Sequence, residues 1–122
     1  MKITEIAFSG YPVTDMARSR SFYENILGLT VSRTWGPAES PRWVEYDIGP
    51  GCLVLIQGGD EWPPANGGPA VALEVDDFEG FVAKLKENSV KFLWEPSEHG
   101  ACWMTIILDP DENRLAIHHR KA

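Results

Sequence analysis

At 122 residues the chain fits one domain, with room for an apolar core that needs no disulfide or metal staple. Hydrophobic residues make up 43% and charged residues 24%, the balance of a globular protein, and the net charge of -7 with a pI of 4.8 would repel a phosphate backbone. No basic run offsets that charge and no stretch reaches membrane-span length, so nucleic-acid and membrane partners are excluded.

The opening stretch MKITEIAFSGYPV mixes charges with apolar residues and lacks the continuous apolar run of a signal peptide. Its apolar pattern predicts a first strand in ITEIAFSGYPV, made irregular by Gly10 and Pro12. A helix follows in DMARSRSFYENILG: Asp15 caps it, Ser19, Phe22, Tyr23, Ile26 and Leu27 share one face, and Gly28 ends it. Three strands come next, LTVSRTW, RWVEYDIG and CLVLIQG, separated by the turn formers GPAESP and GPG. Residues 58–69 (GGDEWPPANGGP) are too rich in glycine and proline for periodic structure and read as a linker.

After the linker the order begins again. AVALEVD alternates like a strand, and DFEGFVAKLKENS carries Phe78, Phe81, Val82 and Leu85 at helical spacing. VKFLWEP, ACWMTIIL and NRLAIHH supply three more strands. Val13 and Asp15 correspond to Val75 and Asp77 at one constant offset, so repeats over 1–57 and 70–119 account for a single domain spanning 1–122.

Cys52 and Cys102 stand far apart with no C-x-x-C spacing, which argues against a zinc knuckle or a redox motif and predicts buried free thiols in a reducing cytoplasm. His118 and His119 are adjacent on a strand and therefore face apart, so the pair cannot hold one metal ion between them. Trp35, Trp43, Trp94 and Trp103 lie on or beside strands, and Trp62 lies in the linker. Indole rings suit either a core or a pocket for planar ligands. No G-x-S-x-G nucleophile motif is present.

The two βαβββ repeats, with VTDMARSRSFYENILGLTV, VALEVDDFEGFVAKL and DPDENRLAI, make the chain resemble the vicinal oxygen chelate superfamily of glyoxalases, extradiol dioxygenases and fosfomycin- and bleomycin-resistance proteins. The resemblance implies an α+β fold in which two βαβββ modules form curved mixed sheets around a concave pocket, helices on the outer face, and it implies a homodimer. Metal-using members place ligands on the first, fourth, fifth and eighth strands; the matching positions here are Phe8, Leu55, Ala70 and Ala116. None offers a nitrogen, oxygen or thiolate donor.

The expected pocket has Phe8, Leu55, Ala70 and Ala116 at its base and Gln57, Glu74, Arg114 and His118 at its rim, with Trp103 as an aromatic wall. Its reading is the binding of a small aromatic or cationic molecule without a metal or other cofactor, similar to sequestration by bleomycin-resistance proteins. The alternative is a lyase or isomerase of glyoxalase type. It would use a divalent metal displaced about 7 Å along the strands to Gln57, Glu74 and His118, or metal-free acid–base catalysis by Glu74 and His118. His99 is a further polar candidate on a loop.

Overall fold

Strand and helix recur in the same order in both halves of the computed structural model, which describes residues 1–65 and 67–121. The chain forms two units, Met1–Pro64 and Ala65–Ala122. The first contains β1 (Ser9–Pro12), α1 (Met16–Arg20, continued by a π-helical turn over Ser21–Ile26), β2 (Arg33–Trp35), β3 (Trp43–Ile48) and β4 (Gly51–Ile56). The second contains β5 (Val71–Glu74), α2 (Phe78–Glu87), β6 (Phe92–Glu98), β7 (Cys102–Leu108) and β8 (Arg114–Arg120). Each unit holds one four-stranded mixed sheet, in the orders β1-β4-β3-β2 and β5-β8-β7-β6, and neither sheet closes into a barrel. This is the α+β architecture of two βαβββ modules.

In the first unit Asp15 holds extended backbone and accepts the Arg18 N–H at 3.1 Å, which caps α1. Gly28, at φ +79°, ends the helical segment in the conformation that glycine adopts without strain. Met16, Ser19, Phe22, Tyr23 and Leu27 are buried along its inner face. Tyr23 stacks on Tyr46 of β3 with ring centroids 6.2 Å apart, a contact worth about 1 kcal/mol beyond its buried area. Tyr46 donates its hydroxyl to Glu24 at 2.9 Å, and burial pushes its phenol above the usual range.

That stack fixes which way the sheet faces. Val44 and Tyr46 of β3 point toward α1, as do their cross-strand partners Leu55 and Leu53 and, on β1, Tyr11. The opposite, helix-free face receives Trp43, Glu45, Val54 and Ile56.

Residues 1–8 lie outside regular structure, with Ile3 96% and Ile6 82% exposed, although the sequence predicts a strand from Ile3. The cause is register. β1 runs parallel to β4 with Ser9 opposite Leu53, so residues before Ala7 would fall opposite the turn at Gly49 and Pro50, where no ladder partner exists.

The second unit repeats the register, with β5 parallel to β8 and Val71 opposite Leu115. Asp77 caps α2 by accepting the Gly80 N–H at 3.0 Å. Phe78, Leu85, Ile107, Leu115 and Ile117 are buried. The DPDEN segment builds the β7–β8 turn: Asp109 accepts the backbone N–H groups of Asp111 at 2.9 Å and Asn113 at 2.8 Å and the Asn113 side-chain amide at 2.8 Å, and both side chains are buried.

Candidate functional site

Each sheet has one face packed by its helix and one face that no helix covers, and the chemistry divides between the two. On the helix-free face of the first unit, Trp35 of β2 lies directly opposite Trp43 of β3. Phe8 meets the edge of Trp43 at 5.4 Å with the rings 75° apart. Gly10 lies beneath them, and a Cβ there would come within 2.9 Å of the Ile56 δ-methyl, which would have to shift to admit it. Trp35 is 61% exposed, so the aromatic surface stays open to a ligand.

A charge cluster completes this face. Trp43 donates its indole N–H to Glu45 Oε2 at 2.7 Å, and Arg33 Nε donates to Glu45 Oε1 at 2.6 Å. The guanidinium also reaches Asp47 at 2.8 Å. The Trp43 N–H first, and Arg33 second, hold the Glu45 carboxyl below the usual carboxylate range, and Arg33 does the same for Asp47. Burial, with Glu45 adding to it, pushes the Cys52 thiol up, so this thiol is not activated as a nucleophile. Two carboxylates against one guanidinium leave the patch with an excess negative charge.

On the helix-free face of the second unit, Glu74 and His118 occupy paired positions of β5 and β8. His118 Nδ1 lies 2.6 Å from Glu74 Oε1, and the Arg120 backbone N–H donates to Glu74 Oε2 at 2.7 Å. The Arg120 N–H first, and His118 second, lower the pKa of the Glu74 carboxyl. An ionised carboxylate only accepts, so Nδ1 donates and Nε2 is the ring nitrogen left without that bond. A glutamate raised toward neutrality is not what this arrangement builds. The dyad instead orients an imidazole.

Of the residues singled out from sequence, Ala116, Glu74 and His118 share this face, with Ala70 just ahead of β5. Arg114 lies on the same face and lines a hollow of about 220 Å³ with Leu93, Leu108, Gly67 and Glu112. Phe8 belongs to the aromatic face of the first unit. Leu55 and Gln57 do not join it: the sequence reading set them on the pocket face, and the structure sets Leu55 under α1 with Gln57 Oε1 accepting the Met16 N–H at 2.9 Å. Trp103 likewise turns to the helix side, where its ring lies 6.3 Å from Phe78.

His119, facing away from His118, has Nδ1 2.7 Å from the Val75 carbonyl oxygen. His99 stays in its loop, 3.0 Å from the Ser97 hydroxyl. Sequence reasoning missed Arg33, Glu45 and Asp47. Their signal was present in the alternation of Glu45 and Asp47 along one strand, opposite an arginine on the next.

Comparison with known proteins places these features in context. The family model described as Glyoxalase/Bleomycin resistance protein/Dioxygenase superfamily matches residues 2–117. No curated protein matches the chain. Among solved structures, TnmS3, an antibiotic binding protein from Streptomyces sp. CB03234, superposes with a TM-score of 0.80 at 22% identity, covering 99% of each chain. TioX from Micromonospora sp. ML1 gives 0.78 at 11% identity over 97% of this chain and 98% of its own. A glyoxalase/bleomycin resistance protein from the same Streptomyces gives 0.74 at 22% identity over 93% and 98%. At these identities the likeness is one of fold.

Proposed function

The chain belongs to the Glyoxalase/Bleomycin resistance protein/Dioxygenase superfamily, and from that premise we propose that it binds and sequesters a small planar or cationic molecule without a metal ion. The observation that carries this reading is the open aromatic face of Phe8, Trp35 and Trp43 built around Glu45. Flat indole surface supplies stacking area, and the carboxylate supplies complementarity to positive charge. That similar structures include an antibiotic binding protein supports the same reading.

The residues do not suit a divalent cation. Gly10, Val54 and Ile56 of the first unit and Ala72 and Ala116 of the second present no donor atoms on the helix-free faces. Among the described residues, no three His, Cys, Asp or Glu side chains are grouped to hold an ion. The test is metal analysis of protein purified without chelator, joined to a thermal-shift screen with zinc, nickel and manganese. The expected result is substoichiometric metal and no stabilisation; one bound equivalent with a large rise in Tm contradicts the reading.

A second reading rests on the Glu74–His118 dyad. In it His118 Nε2 takes a proton from carbon next to a carbonyl while Glu74 holds the ring, giving a lyase or isomerase. His118→Ala abolishes any such turnover, and turnover that survives the substitution removes this reading. The proposal extends to a cytoplasmic homodimer, and a monomer mass in light scattering counts against the dimer.

A further inference from the structure

A cavity of about 470 Å³ opens in the second unit on the helix side of the sheet, away from Glu74 and His118. Phe78, Val82, Trp103, His119, Asp76 and Glu79 line it. The repeat explains why it exists. In the first unit Gln57 spans from the end of β4 to the Met16 N–H and Met16 is buried, so the corresponding place is filled. The residue in the Gln57 position of β8 is His119, whose ring turns to the Val75 carbonyl, and the space beside Phe78 stays open.

We infer that this cavity is a second ligand site, taking a small organic ammonium ion that carries an apolar group. Its apolar wall is the tilted pair of Phe78 and Trp103, and Trp103 keeps 39% of its surface exposed. The indole is already a cation acceptor, with Lys121 Nζ 5.4 Å from its centroid. Asp77 is committed to its helix cap, whereas the carboxylates of Asp76 and Glu79 have no hydrogen-bond or ion-pair partner among the described residues. Nδ1 of His119 is committed to the Val75 carbonyl oxygen, so Nε2 is the ring nitrogen left for a guest. Apart from the Trp103 indole N–H, the polar side chains that line the cavity are carboxylates and the His119 ring, and the complementary guest is a cation with a hydrophobic body. The size suits one, since small-molecule sites begin near about 300 Å³.

The site is tested by titrating the full chain with benzyltrimethylammonium and, in parallel, with neutral benzyl alcohol, following the Trp103 indole N–H by NMR. The expected result is a saturable shift of that resonance with the ammonium ion and binding of the alcohol at least about tenfold weaker. Exchanging both exposed carboxylates, Asp76→Asn with Glu79→Gln, weakens the ammonium ion by about tenfold or more, while Glu87→Gln, at the far end of α2, changes it by less than about twofold. Equal binding of the alcohol, indifference to the carboxylate exchange, or a Trp103 resonance that does not move overturns the inference. Shifts confined to Trp43 overturn it too, while leaving the aromatic face of the first unit intact as a separate proposal.

Discussion

At the scale of single residues, burial and hydrogen bonding decide roles that residue type leaves open. Glu74 is the clearest case. As a proton-transfer glutamate it would need a pKa raised by an apolar pocket, but the Arg120 N–H and His118 lower it. A depressed folded-state value means that its contribution to stability is full above the ordinary value of 4.5 and is lost as pH falls through the lower folded one. Carboxyl NMR of Glu74 is therefore expected to titrate below 4.5, and a midpoint above that value contradicts the dyad. Leu55 makes the complementary point, because it is fully buried under α1 instead of lining a pocket. Leu55→Ala is predicted to cost roughly 2–5 kcal/mol in denaturant unfolding while leaving ligand affinity of the folded protein within about twofold. Lost affinity without lost stability would return Leu55 to the binding face.

At the scale of elements, helices were legible because two independent signals agreed: an aspartate cap at Asp15 or Asp77 and an apolar stripe at three and four residue steps. β8 was legible through its alternation, which separated His118 from His119 correctly. β4 was not, and the reason is physical. Leu53, Val54, Leu55 and Ile56 are all buried, so the run has no polar face from which to count parity, and a shift of one residue moves Leu55 and Gln57 to the wrong side. The length of β1 was illegible because it depends on where the β3–β4 turn stops the ladder, a tertiary fact. The β7–β8 turn shows a motif whose meaning is structural. Asp109→Ala is expected to lower stability by about 1–3 kcal/mol, since it strips acceptors from three N–H groups. Glu112 holds φ +66°, so Glu112→Gly is expected to add about 1 kcal/mol. Both are read as shifts in urea midpoint, and a stabilising Asp109→Ala or a destabilising Glu112→Gly contradicts the assignment.

At the scale of the whole molecule, the repeat gives two sheets with the same register and different chemistry on their helix-free faces: aromatic rings around Glu45 in one unit, an imidazole–carboxylate dyad in the other. The net charge of -7 adds a field that draws in cations, so affinity for a cationic guest should fall as salt rises. Isothermal titration with 9-aminoacridine, a planar aromatic cation, in the presence of chelator tests the central claim most directly. Saturable binding is predicted for the unaltered chain, weakened by about tenfold or more in Trp43→Leu and in Glu45→Gln. Binding that vanishes with chelator, or that survives both substitutions unchanged, would contradict a metal-free aromatic site on the first sheet.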